Sequence, residues 1–270
     1  MRTWRLLIDG PKSGKENMAT DEAILIACRE GRSASTLRLY EWNSATLSIG
    51  CFQKASTIIE RSSEVNIPIV RRISGGRAVL HFDEITYSIV CAENEPLFDE
   101  GISGAYKTIT VSLLSALREV GVNADMHTSY TKDHTSKKLS CFHSPSRYEI
   151  IIENRKLVGS AQRRFKRVFL QHGSILFGID KELISKLFGN DAIFRMAWLN
   201  LFSAVEKCDF KAVLADKIQE GLNIQLIKDN ISNDEIFLRD KLIKERYNND
   251  AWNIYNIYTG LENADTARLL

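Results

Sequence analysis

The five cysteines (Cys28, Cys51, Cys91, Cys141 and Cys208) contain no CxxC pair, and an odd, widely spaced set suggests neither a disulfide framework nor a zinc knuckle. The charge balance has no dominant sign. Lys and Arg number 36 against 34 Asp and Glu, a net +2 that gives no global electrostatic case for nucleic acid; basic residues cluster only locally, at Arg71, Arg72 and Arg77 and from Arg163 to Arg167. The apolar stretch in MRTWRLLIDGPKSGKEN is far too short for a secretory core or a membrane span, so a cytoplasmic chain without membrane contact is expected. Neither an internal repeat nor a low-complexity tract occurs. What is present is 270 residues, 44% hydrophobic and 26% charged, a composition for one large globular domain or a domain with a smaller lobe.

Hydrophobic periodicity divides the chain. Ala19, Ala23, Ile26 and Ala27 follow helical spacing, with Asn17 as the expected N-cap. TLRLYEW, TLSIG and PIVRRIS are short runs rich in β-branched residues, and AVLHFDEITYSIVCA reads as two further strand-like pieces around Asp83 and Glu84. Ile102, Tyr106, Ile109, Leu113, Leu117 and Val120 step by three and four and stop at Gly121, which predicts a helix. HTSYTKDHTSKKLS, residues 127–140, is polar and reads as a mobile loop. YEIIIENRKLVGSAQ supplies two strand-like runs with Asn154 and Arg155 at the turn, and VFLQHGSILF supplies a third. From Lys181 the pattern turns helical. The expectation is an α+β fold on a mixed β-sheet, with residues 1–180 as the core, 181–255 as a C-terminal helical lobe completing the same catalytic domain, and 256–270 as a flexible tail.

Four segments carry candidate chemistry. In RRISGGRAVLH, Gly75 and Gly76 allow positive φ and close approach of a ligand carbonyl to main-chain N–H groups, flanked by Arg72, Arg77 and His81; an ordinary tight turn is the bland alternative. Lys156, three residues before Gly159 and Ser160, would stabilise a thiolate or oxyanion if it points into a pocket, against the commoner solvated strand lysine. Cys141 leads into a Pro145 turn, so its thiol is expected near the surface, where a neighbouring cation such as Lys156 would raise the thiolate fraction. Cys28, Cys91 and Cys208 sit in apolar or helical contexts and read as buried small hydrophobes. His172 interrupts an apolar strand and reads either as a satisfied structural histidine or as a pocket group; His81 is similar. His127, His134 and His143 fall in loop or turn sequence without recurring ligand spacing, so no metal is expected.

Taken in order, RRISGGRAVLH, SCFHSPSRYE, KLVGSAQRR and LQHGSILF resemble the biotin/lipoate protein ligase superfamily, and within it the protein octanoyltransferases acting on the glycine-cleavage H protein; NMATDEAIL and ERYNNDAWN extend the match from about Trp4 to Asn253. The resemblance implies that Cys141 takes octanoate from acyl carrier protein as a thioester, that Lys156 lowers the thiol's pKa, and that a lysine of the H protein or another lipoyl domain accepts the acyl group. It further implies that Arg72, Gly75, Gly76 and His81 form an acyl-binding loop, with Arg77 beside them, and that Gly159, Ser160, Ala161 and His172 face it. No cofactor is then needed. Val79, Leu80 and Val158 are candidate linings of an acyl tunnel, and Arg71, Arg163, Arg164 and Lys166 candidates for steering acidic carriers.

Three alternatives stay open. A lipoate–protein ligase would need ATP and Mg but no cysteine; the Cys141 context, Arg77 in place of a third glycine and a short C-terminal lobe argue against it. An octanoyl amidotransferase between lipoyl domains typically reads differently around KLVGSAQRR and HFDEITYS. A non-catalytic acyl-carrier-binding module would keep the pocket and dispense with the thiol.

Overall fold

The computed structural model describes residues 1–54, 56–128 and 148–257. Their larger sheet runs β11-β1-β2-β6-β10-β9-β8-β7. In chain order its strands are β1 (Arg2–Lys12), β2 (Thr36–Trp42), β6 (Glu84–Ala92), β7 (Asp125–Met126), β8 (Ile150–Ile152), β9 (Arg155–Phe165), β10 (Val168–Leu176) and β11 (Ile224–Lys228). The sheet is mixed: β11, β1 and β2 are parallel, and the neighbours from β2 to β7 are antiparallel. A smaller sheet, β4-β3-β5, is built from β3 (Thr46–Ile49), β4 (Ile69–Arg71) and β5 (Val79–His81). The architecture is α+β with a helical C-terminal part.

Alternation along the strands creates separate cores. Leu37 and Leu39 of β2, with Ile85, Tyr87, Ile89 and Cys91 of β6, face α4 (Gly101–Glu119) and α6 (Lys207–Leu222). Tyr40, Trp42 and Val90 turn the other way, to α1 (Gly14–Arg29), α7 (Asn233–Leu242) and the segment beyond it. Under the small sheet, Leu47, Ile49 and Leu80 pack with Ile58 of α2 (Ser56–Glu64) and Ile184 of α5 (Lys181–Phe188). Two short helices complete the set, α3 (Pro96–Asp99) and α8 (Asp250–Asn253). No helix among the described residues is long and apolar enough to cross a membrane.

Several elements depart from the sequence pattern. The first helix begins at Gly14, not after Asn17, because Ser13 and Glu16 close a capping box: Glu16 N–H donates to Ser13 Oγ at 3.3 Å and Ser13 N–H to Glu16 Oε2 at 3.1 Å. Asn17 is buried instead, donating to Glu41 O at 3.0 Å and accepting from Arg38 Nη2 at 2.9 Å. The β8–β9 turn lies one residue earlier than expected, since Glu153 and Asn154 both adopt positive φ (50° and 61°) as a two-residue type I′ turn requires. The chain after residue 180 also supplies a strand, β11, to the sheet edge at β1. Cys208, expected to be buried, is exposed in the first turn of α6.

Candidate active site

A mainly apolar cavity lies between the two sheets. Its walls include Met18 of α1, Tyr40 and Trp42 of β2, Ser48 of β3, Arg72, Val79 and His81 at the small sheet, and two facing tripeptides, Gly159–Ala161 on β9 and His172–Ser174 on β10. The cross-strand register brings the tripeptides together, pairing Gly173 with Ser160 and His172 with Ala161. Arg72, His81, Gly159, Ser160, Ala161 and His172 therefore meet in one cavity. Val79 lines it too; Leu80 and Val158 turn into the cores, as alternation along each strand requires.

The Gly75–Gly76 turn stands beside this cavity and is held by Arg72. Arg72 Nη2 donates to Gly75 O at 2.9 Å and Arg77 O at 2.7 Å, and Nη1 to Ser48 O and Oγ at 3.2 and 3.0 Å. Gly76 has φ +94°, a conformation side chains resist, and a Cβ there would lie 2.9 Å from Arg72 Nη2. Gly50 is needed for the reciprocal reason: a Cβ on it would meet Gly76 O at 2.1 Å.

Both pocket histidines join a buried carboxylate to a serine. His81 Nδ1 lies 2.8 Å from Glu84 Oε1 and Nε2 lies 2.7 Å from Ser48 Oγ. A carboxylate accepts, so Nδ1–H donates to Glu84, which turns Nε2 to the Ser48 hydroxyl. The ring stacks on Trp42, centroids 3.7 Å apart, and Trp42 Nε1 donates to Thr86 Oγ1 at 2.8 Å. In the second set, His172 Nδ1 faces Asp21 Oδ2 at 3.3 Å and Nε2 faces Ser74 Oγ at 2.6 Å. Burial pushes the His172 pKa below its ordinary value against the pull of Asp21, so the neutral ring is favoured. Burial pushes the Asp21 carboxyl up, but Arg38, 2.7 Å away, leads the opposing groups that hold it below the usual range. Asp21, Ser74 and Ser48 were not picked out from sequence. Asp21 could have been, since an acid inside an otherwise apolar helical run needs a partner.

Lys156 is not a solvated strand lysine. Its side chain is 1% exposed and Nζ donates to Glu149 Oε1 at 2.6 Å, beside the Gly159–Ala161 wall on the same strand. Arg71 is likewise buried, bonded to main-chain carbonyls, and does not meet a partner. Arg163 donates to Ile73 O at 2.7 Å, and Arg164 lies 3.5 Å over the Phe98 ring. Cys141 and the 127–140 loop from residue 129 onward lie outside the described residues, as does the tail from residue 258.

Residues 13–206 match the model of the lipoyl protein ligase A/B catalytic domain. Octanoyltransferase LipM of Brevibacillus brevis is 36% identical, with 94% of this chain and 99% of that protein aligned. Octanoyltransferase LipM of Bacillus subtilis is also 36% identical, with 93% and 98% aligned. Among solved structures, lipoate-protein ligase A bound with ATP superposes with a TM-score of 0.80 at 23% identity, over 96% of this chain and 100% of that one. The bi-partite lipoate protein ligase of Thermoplasma acidophilum gives 0.78 at 21%, over 97% and 99%. At those identities the structures establish the fold. The chain belongs to the lipoyl protein ligase A/B catalytic-domain family, and within it is an acyltransferase related over nearly its whole length to the octanoyltransferases named LipM.

Proposed function

We propose that this protein is a cytosolic octanoyltransferase of lipoate assembly, which carries the octanoyl group on Cys141 between acyl carrier protein and a lysine of the glycine-cleavage H protein or another lipoyl domain. The observation that carries the reading is the mainly apolar cavity that brings Arg72, His81, Gly159–Ala161 and His172 together beside the strand bearing the buried Lys156. An eight-carbon chain suits such walls, and the relatives named octanoyltransferases support the acyl class.

The chemistry balances without a cofactor. The Cys141 thiolate attacks the thioester carbonyl of the donor; the tetrahedral intermediate expels the phosphopantetheine thiolate, which takes a proton and leaves as a thiol. Main-chain N–H groups of the glycine turn or pocket strands would stabilise the oxyanion. The neutral ε-amine of the acceptor then attacks the acyl-cysteine, forms the amide and releases the Cys141 thiolate, while the amine's extra proton passes to solvent or a pocket base. A thioester is already activated, so ATP is not consumed. Lys156 supplies the positive charge that favours a thiolate, and Arg72 keeps the turn against the cavity.

Incubation with octanoyl-acyl carrier protein, without ATP, followed by intact-mass measurement tests the scheme. A single octanoyl adduct on Cys141, discharged by the acceptor domain, is expected. Transfer at the unmodified rate by Cys141→Ser would sink the covalent scheme, and absolute dependence on ATP with free octanoate or lipoate would move the protein to the ligases.

A further inference from the structure

Two pairs of consecutive residues each divide their side chains between the cavity and the C-terminal segment. On α1, Asp21 meets Arg38, Tyr40 and His172 on the cavity side. Its neighbour Glu22 turns about 100° round the helix axis and receives Arg246 Nη1 and, at 2.6 Å, the Tyr247 hydroxyl. At the end of β4, Arg72 holds Gly75 O and Arg77 O. Its neighbour Arg71 points the other way and donates from Nε to Trp252 O at 3.0 Å and from Nη2 to Ile254 O at 3.1 Å.

The main chain of Arg71 is gripped as well. Its N–H donates to Asn253 Oδ1 at 3.0 Å, and its carbonyl accepts from Trp252 Nε1 at 2.9 Å. Asn253 Nδ2 donates in turn to Tyr247 O at 2.9 Å, and the Arg246 guanidinium lies 5.1 Å from the Trp252 ring. Arg71, Arg246, Tyr247, Trp252 and Asn253 are all buried, yet none lines the cavity. This circuit is the late ERYNNDAWN motif.

We propose that residues 246–253 are a positioning clasp for the acyl pocket. They hold its two walls at once, α1 through Glu22 and the glycine turn through Arg71, so that His172 and the Gly75–Gly76 turn are already in place when the acyl donor arrives. They touch no reacting atom and act through Asp21 and Arg72. A turn with two adjacent glycines gains freedom when its anchor is cut, and ordering it again must come out of donor binding. The kinetic part of this inference rests on the octanoyl-transfer reading; the structural part does not.

The test is Trp252→Phe, which removes the Nε1–H donor to Arg71 O and keeps a ring, with Asn253→Asp as a second variant that keeps the acceptor for Arg71 N–H and loses the donor to Tyr247 O. The control is Phe210→Leu, which opens a cavity in the core under α6 on the other face of the sheet. Amide hydrogen exchange of residues 72–78 should quicken in both clasp variants and not in the control. The KM for octanoyl-acyl carrier protein should rise about three- to ten-fold, the scale of one lost hydrogen bond, with kcat nearly unchanged. Equal exchange at 72–78 in clasp and control variants of matched Tm overturns the proposal, as does an unchanged KM in an enzyme that transfers octanoyl groups. Exchange is read on the protein alone, so it decides the clasp even if octanoyl transfer is not the reaction.

Discussion

Lys156 Nζ sits 2.6 Å from Glu149 Oε1, with the two side chains 1% and 4% exposed. The ammonium is thus drawn out of water together with a counter-charge, and removing either residue breaks a buried ion pair. Lys156→Ala should therefore destabilise the protein by roughly 3–5 kcal/mol, the scale of breaking a buried ion pair. The double variant Lys156→Met with Glu149→Leu should recover most of that loss in urea denaturation while octanoyl transfer stays lost. Recovery of transfer along with stability would assign Lys156 a structural role alone. Under the proposed chemistry, the alkylation midpoint of Cys141 should also rise in Lys156→Ala.

Much of this site was legible in the sequence and some of it was not, for physical reasons. The Gly75–Gly76 dipeptide stands out because tight turns favour glycine, and Arg72 and His81, which line the cavity, stand out because charged or polar groups among strand residues are unusual. The helix start at Ser13 was also legible, in the Ser-x-x-Glu spacing, but Asn17 is as good a cap by residue type; only the fold shows it buried among Lys12, Glu41 and Arg38. β1 was missed since its partners, β2 and β11, are parallel and distant, leaving no local turn signal. Asp21, Ser74 and Ser48 find their histidine partners 151, 98 and 33 residues away, separations that no local spacing encodes.

The close approach of Gly50 to the glycine turn gives a steric prediction. A methyl group at residue 50 meets a carbonyl oxygen at 2.1 Å, and neither backbone can yield without moving the turn. Gly50→Ala should cost about 1–3 kcal/mol, as other overpacking does, and lower kcat/KM for octanoyl transfer. Gly76→Ala should add strain from φ +94°. Gly10→Ala, with nothing within 4 Å of the added carbon, should leave both quantities within experimental error. Thermal denaturation and initial rates of the three variants separate these outcomes.

The His172–Asp21 pair gives a pH dependence with a definite sign. Burial holds the folded-state pKa of His172 below its reference value of 6.5, so the native protein binds this proton less readily than the unfolded chain does. The associated stability is fully present above pH 6.5 and is lost as the pH falls from there through the folded value. Asp21, also lowered, adds a second loss that begins only below its reference of 3.8. Urea unfolding at about pH 7.5 and about pH 5.5 should show the wild type losing more stability than His172→Gln, with a slope no steeper than ~1.4 kcal/mol per pH unit for the one group. Equal losses in the two proteins would remove His172 from this role.

The four described cysteines separate by burial, which ranks their reactivity. Burial pushes the thiols of Cys28 and Cys91 up, that of Cys28 to about 12, so neither offers thiolate at neutral pH. Cys51 is raised by burial too, although Arg163, 3.4 Å from its sulfur, pulls in the other direction. Cys208 is exposed. Brief iodoacetamide treatment of the native protein, read by peptide mass spectrometry, should label Cys208 and spare Cys28, Cys51 and Cys91. Under the proposed function Cys141 should label as well, and pre-incubation with octanoyl-acyl carrier protein should protect it while Cys208 still reacts. Cys208→Ser should transfer octanoyl groups at the wild-type rate. Protection of Cys208 by the donor, or lost activity on its replacement, would move the acyl-carrying role away from Cys141.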